Sequence, residues 1–301
     1  MKERNKSKFL ACVAVLIGGF CVFTSAQTQP ASTTQFKLLN SYLIVIPVTV
    51  NGAGPYEFLL DTGTNTTLVT VEFARQLRLR PIDRIELVTV AGSQIVPRAR
   101  LESLTIGATT AKNVEALFSD LREVRAVNPE ICGVLGMNFL AQFNYLINYR
   151  ERRIEFENDA ELENSLGGAR LPLECHEGRA LVFARSAKSR SWRLALDSGI
   201  SNLLLFAADW RDLKLDWAQG ESQRLLARTD VGSQGVWQKR LRSFQIGGAN
   251  FYDLPVAVME PKVAGEGRVE DGLLPTSLFQ RIYFNHRKNF VMLNPNQYRE
   301  R

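Results

Sequence analysis

The amino-acid sequence predicts a mostly-β chain folded as two similar lobes with a few short helices. Three observations carry this: landmarks written twice in one order, short β-branched runs closed by turns, and a charged, glycine-ended segment between the two copies. At 301 residues the chain is long enough for each lobe to bury a core of its own.

The duplication is explicit. Phe58-Leu59-Leu60-Asp61-Thr62-Gly63 returns as Leu194-Ala195-Leu196-Asp197-Ser198-Gly199. Gly92-Ser93-Gln94 returns as Gly232-Ser233-Gln234, and Leu101 through Gly107 returns as Leu241 through Gly247, both at one constant offset. Gly133-Val134-Leu135-Gly136 has its partner in Gly272-Leu273-Leu274-Pro275. Each is followed by an apolar stretch and then by Asn148-Tyr149-Arg150 or Asn285-His286-Arg287. Pro275 stands where the first copy has Gly136, which puts the symmetry of that late loop in question.

Within a copy the periodicity is that of strands. Leu43 to Val50 is short and β-branched, and Asn51-Gly52 closes it as a turn. Leu87–Val90 and Gln94–Val96 flank Ala91-Gly92-Ser93 as a hairpin. Val71 to Arg78 sets Phe73, Ala74 and Leu77 along one helical side, and Met137 to Phe143 reads as a second short helix. Arg150, Arg152 and Arg153 read as a charged turn between strands. The expected divisions are a flexible tail at 27–35, a first lobe at 36–158, a linker at 159–170 and a second lobe at 171–301.

The start of the chain is of another kind. Residues 1–8 are basic, Phe9 to Phe23 is uncharged and mostly apolar, and Thr24-Ser25-Ala26 is small, the order of a secretory signal peptide over 1–26. The apolar run is short for a transmembrane helix, so a membrane contact is expected only if this segment stays uncleaved. Export to the periplasm or the exterior follows. Lys2, Arg4, Lys6 and Lys8 against Glu3 account for half of the formal net charge of +6. With no run of lysine and arginine elsewhere, nucleic acid is not an expected partner. Of the four cysteines, Cys132 and Cys175 lie outside the signal segment. An exported protein could bridge them, but one pair makes no framework and their redox state stays open.

Either Asp-Thr-Gly or Asp-Ser-Gly alone would pass for an ordinary turn. Here each follows one apolar run and precedes another, Leu68-Val69-Thr70 or Leu203-Leu204-Leu205-Phe206. A carboxylate between buried strands is costly to desolvate, and a second carboxylate sharing its proton relieves that cost.

These residues resemble the retropepsin-like and pepsin-like aspartic proteases, as two retropepsin-like lobes fused in one chain, and the likeness covers nearly all of 36–301. The resemblance implies two β-barrel lobes of the acid-protease fold with an active-site cleft between them. By it, Asp61 and Asp197 would be the catalytic pair of an aspartic endopeptidase. Thr62 and Ser198 would lock the two loops together, with Gly63, Thr64 and Gly199 supporting them. Ala91-Gly92-Ser93 and Val231-Gly232-Ser233 would tip two flaps over an extended polypeptide. The implied mechanism uses a water between the carboxyls, one ionised and one protonated, and no cofactor or metal. Thr64 can donate toward its carboxylate whereas Ile200 cannot, so Asp61 is expected as the ionised member and Asp197 as the proton carrier. Trp237, just past the second tip, is a candidate pocket wall and equally a core aromatic.

The alternatives are weaker. His176 and His286 are the only histidines, and Cys175-His176 as strand neighbours would point to opposite faces. No His-Glu-x-x-His or cysteine cluster suggests a metal. Gly52-Ala53-Gly54 lacks the lysine of a phosphate loop and reads as a turn. The serious rival is an inactive peptide-binding protein on a protease scaffold. A cleft shared between chains, or two merely structural turns, are further rivals. The duplication favours pairing within one chain and hence a monomer.

Overall fold

The computed structural model describes residues 32–157, 161–176, 178–185, 191–229, 232–260, 269–294 and 296–297. The expected signal segment and Val231 lie outside these residues.

Each lobe is built on one eight-stranded sheet. In the first lobe the strands run in the order Lys37–Leu39, Leu43–Val50, Ala53–Leu60, Ile131–Leu135, Thr67–Thr70, Thr109–Ser119, Gly92–Ile106, Asp83–Thr89. In the second the order is Glu174–His176, Arg179–Arg185, Ser191–Asp197, Gly272–Pro275, Leu203–Phe206, Ala249–Met259, Gly232–Ile246, Gln223–Thr229. The two orders match position by position. In both, the second strand also pairs with the seventh, which curls the sheet toward a barrel. The strand carrying each Asp triplet pairs in parallel with the late glycine-containing strand.

The sequence explains this directly. Along Leu43–Val50, Ile44, Ile46, Val48 and Val50 point into the main core while Leu43 and Val45 join a second apolar cluster. Both faces are covered, so the run is nearly all apolar and not alternating. A fully buried Ile or Leu contributes about 1.5–3 kcal/mol, and the same core takes Phe58 and Leu60 from the next strand. The expected helix at 71–78 forms over Val71–Gln76, with the Thr70 side chain accepting from the Phe73 N–H. It buries Phe73 and Ala74 and stops early because Arg78 adopts φ +53. The second helix is shorter than expected, Met137–Leu140.

A third, six-stranded sheet joins the lobes, in the order Ser32–Gln35, Arg153–Glu157, Asn144–Asn148, Arg281–Asn285, Phe290–Leu293, Arg170–Pro172. Its central pairing crosses the lobe boundary, Tyr145 opposite Phe284 and Ile147 opposite Ile282, with the Tyr145 and Phe284 rings stacked at 4.8 Å. Two expected divisions change here. Ser32–Gln35, read as flexible tail, is an edge strand on Arg153–Glu157, and the Ser32 hydroxyl accepts from the Ala108 N–H. The segment read as linker forms a helix at Glu161–Ser165 and a short strand at Leu166–Gly167. Its Glu163 is buried, accepting from Asn285 and pairing with Lys288 and Arg170. Neighbouring Glu157 is also buried and accepts from Asn144, Tyr283 and the Glu163 N–H. A charged run becomes buried because partners from distant sequence satisfy its carboxylates.

Candidate active site

The two triplets meet at the lobe boundary in a reciprocal lock. The Thr62 N–H donates to Ser198 Oγ at 3.0 Å, and the Ser198 N–H donates to Thr62 Oγ1 at 3.1 Å. The Thr62 hydroxyl donates to the Leu196 carbonyl at 2.9 Å and the Ser198 hydroxyl to the Leu60 carbonyl at 2.8 Å. Both side chains are buried. Each loop therefore holds the backbone just ahead of the other loop's aspartate.

The lock brings the Asp61 and Asp197 carboxyls into hydrogen-bond contact. Each also accepts from the glycine N–H two residues on, Gly63 to Asp61 Oδ1 at 2.8 Å and Gly199 to Asp197 Oδ1 at 2.7 Å. The glycines are required by contact across the boundary. A Cβ at Gly63 would lie 2.3 Å from Asp197 Cγ, and one at Gly199 would lie 3.0 Å from Asp61 Oδ2.

Burial pushes both carboxyls above their ordinary range. The charge on one carboxyl resists ionisation of the other, and at each the glycine N–H, Gly63 or Gly199, works the other way. The pair therefore takes up a proton more readily than a lone carboxyl does. The donation expected from Thr64 is not found: its hydroxyl makes no hydrogen bond to Asp61 among the described residues. Thr64 supports the loop through its carbonyl, which accepts from the Met137 N–H at 2.8 Å.

The hairpin over the first lobe turns at Val90-Ala91, with Thr89 paired to Gly92. Gly92 and Ser93 thus begin the returning strand and do not form the tip, and Gly92 needs its glycine at φ +154. In the second lobe Gly232 and Ser233 likewise begin a strand. A Cβ at Gly232 would lie 3.0 Å from the Ala91 carbonyl oxygen, so the two hairpins meet. Val90 crosses to pack on a lobe 2 cluster of Leu204, Val236 and Met259, together with Ile200. Beside this cluster a cavity of about 310 Å³ is lined by Arg224, Leu226, Gly235, Trp237 and Met259, among others. The Arg224 guanidinium lies over the Trp237 ring at 5.4 Å.

Pro275 leaves the late strand intact. It sits at φ −61 directly opposite Asp197. Gly136 is needed in the first lobe for another reason, since its Cβ would meet the Thr66 carbonyl carbon at 2.7 Å. Cys132 and Cys175 are both free thiols. Among the described residues no group of His, Cys, Asp and Glu could hold a metal, and no helix is long and apolar enough to cross a membrane.

Residues not anticipated from sequence also approach the pair. Tyr42, from the turn before Leu43–Val50, has its phenol pushed up by burial and then by the Asp197 charge. Tyr149 reaches Thr276 across the boundary, with 2.6 Å between their hydroxyl oxygens. Neither has a local signal, because each acts through a partner far away in sequence.

A family model described as aspartyl protease matches the chain twice, over residues 46–139 and 187–278. Comparison with curated proteins gives no match. One matched copy per lobe, each holding its own Asp-Thr/Ser-Gly, places the chain in the aspartyl protease family in a tandem, retropepsin-like form.

Proposed function

We propose that the chain is an aspartic endopeptidase that hydrolyses peptide bonds with a water activated between Asp61 and Asp197. The observation that carries this is the contact of two buried carboxyls, both raised in proton affinity, held from both sides by the Thr62–Ser198 lock. Ionised Asp61 takes a proton from the water as its oxygen attacks the scissile carbonyl carbon. Protonated Asp197 gives its proton to the carbonyl oxygen. When the tetrahedral diol collapses, a proton passes to the leaving amine and the pair regains its starting state.

The substrate is an extended polypeptide laid beneath the two hairpins, its backbone pairing with their strands. Trp237 and Arg224 line a cavity that suits one of its side chains. The basic and apolar start of the chain, residues 1–26, supports export, with the mature enzyme acting as a monomer in the periplasm or outside the cell.

Cleavage of denatured casein between about pH 3 and 8 tests the reading, comparing the wild type with Asp61→Asn and Asp197→Asn, with and without pepstatin. Loss in both variants and a bell-shaped profile are expected. Loss in only one variant sinks the paired mechanism. A folded wild type that cuts nothing would favour the inactive peptide-binding reading.

A further inference from the structure

The surroundings of the two carboxyls differ between lobes. Asp197 lies opposite Pro275, and the next residue, Thr276, is buried. The Thr276 hydroxyl is 2.6 Å from that of Tyr149, which comes from the first lobe, just after Asn144–Asn148. Tyr149 is fixed along its length. Its N–H donates to the Gln280 carbonyl of the second lobe at 2.9 Å, and its ring meets Phe36 edge-on at 6.2 Å.

The duplication puts Met137 and His286 at the equivalent positions, one residue after Gly136 and one after Asn285. No such bridge forms there. Met137 Sδ lies 4.0 Å from the Tyr145 hydroxyl, and a thioether is a weak acceptor. His286 stacks on Phe284 with neither ring nitrogen hydrogen-bonded among the described residues.

We propose that Tyr149 is a positioning residue for the carboxyl pair: through Thr276 it braces the strand end against which Asp197 lies, a support that the Asp61 side lacks. The inference rests on reading Asp61 and Asp197 as a proton-sharing pair.

The titratable groups facing the pair are Tyr149 and Tyr42, and those facing Tyr149 are the two carboxyls and Tyr145. Burial, then the Asp197 and Asp61 charges, push the Tyr149 phenol far up, so it stays neutral. The braced strand end keeps the Asp197 carboxyl where the Gly199 N–H donates to it at 2.7 Å, a bond that favours the charged form. Loosening the brace weakens that bond and makes the pair hold its proton to higher pH.

The test uses the full mature chain and follows the carboxyl titrations by ¹³C NMR of Asp-labelled protein in wild type, Tyr149→Phe, Thr276→Val and Thr276→Ser. The pH–rate profile on denatured casein is recorded alongside. Tyr149→Phe and Thr276→Val are expected to raise an apparent pKa of the pair by about 0.5 unit, with Thr276→Ser keeping the wild-type value. Should Tyr149→Phe fail to fold, Thr276→Val carries the same readout. Variants that unfold more easily but titrate like the wild type would reduce Tyr149 to a structural brace and overturn the proposal. Wild-type protein that shows the shared titration yet cleaves nothing would remove the protease reading, while the variant shift would still support this inference.

Discussion

Replacing Ser198 by alanine tests whether the lock holds the two lobes in working register. The change removes one bond accepted from the Thr62 N–H at 3.0 Å and one donated to the Leu60 carbonyl at 2.8 Å. Both partner groups sit in a boundary where Thr62 and Leu60 are almost inaccessible, so water does not readily replace the hydroxyl. A buried polar group that loses its partner costs about 1–3 kcal/mol, which gives about 2–4 kcal/mol for the pair after partial relaxation. That is a large share of a typical domain stability of about 5–15 kcal/mol. Thr62→Val removes the mirror-image bonds to the Ser198 N–H and the Leu196 carbonyl and should cost a similar amount. The two sites clamp the same pair of loops, so the double variant should fall short of the sum by about 0.5–3 kcal/mol. Urea unfolding of the four proteins gives the cycle, and casein cleavage under conditions where each is folded gives the functional counterpart. Cleavage should drop at least about tenfold, since the lock sets the relative placement of Asp61 and Asp197. A loss below about 1 kcal/mol in Ser198→Ala with unchanged cleavage would refute the reasoning.

Three further outcomes follow from the same geometry. Asp197 has its proton affinity raised by folding, so the folded state binds more protons than the unfolded chain above the ordinary carboxyl range, and stability falls as pH rises there. Asp197→Asn removes that loss and should gain on the wild type in urea midpoint between about pH 4 and pH 7; a constant difference across that window would contradict it. Gly63→Ala places a Cβ 2.3 Å from Asp197 Cγ and should lower cleavage at least about a hundredfold with far-UV circular dichroism unchanged. Trp237→Ala opens the wall of the 310 Å³ cavity and should lower kcat/KM about 10–100-fold for the peptides the wild type prefers, mostly through KM. Uniform kinetics across a peptide panel would show that the cavity does not meet the substrate.

The sequence made the duplicated parts legible because they rest on local chemistry. Apolar strands and a short helix with Phe73 and Ala74 on one side each announce themselves within a few residues, and that helix forms with both buried. The two Asp triplets were legible together because each sits between two apolar runs. The first hairpin turns one or two residues ahead of where its glycine suggests, since Gly92 holds the first paired position of the returning strand and not the turn itself. The inter-lobe sheet stayed hidden for a different reason. Tyr145 and Phe284 become neighbours only after both lobes have formed, and an apolar run says that it will be buried but not against what. Ser32–Gln35 is polar because an edge strand can be held by its backbone alone, so its sequence reads like a tail. Glu163 reads as solvated for the same kind of reason, because Asn285 and Lys288 are far along the chain.

Fusion of the two lobes in one chain has a chemical consequence. In an exact twofold dimer the two carboxyls would be equivalent, and neither would be preferred as base or acid. One chain lets the halves diverge while the contact between them is kept. The glycine donors to Asp61 and Asp197 remain alike, at 2.8 and 2.7 Å, so they do not distinguish the carboxyls. The difference lies around them. Val90 packs with Ile200 beside one triplet, Pro275 replaces Gly136, and a Tyr149–Thr276 bridge stands where the other half has His286 and Met137. Burial raises the proton affinity of both carboxyls, and unlike surroundings give the two halves of one chain a means to differ that an exact dimer lacks. In the proposed reaction such a difference would let one carboxyl act as base and the other as donor, and the two hairpins would be free to specialise for the two sides of the scissile bond.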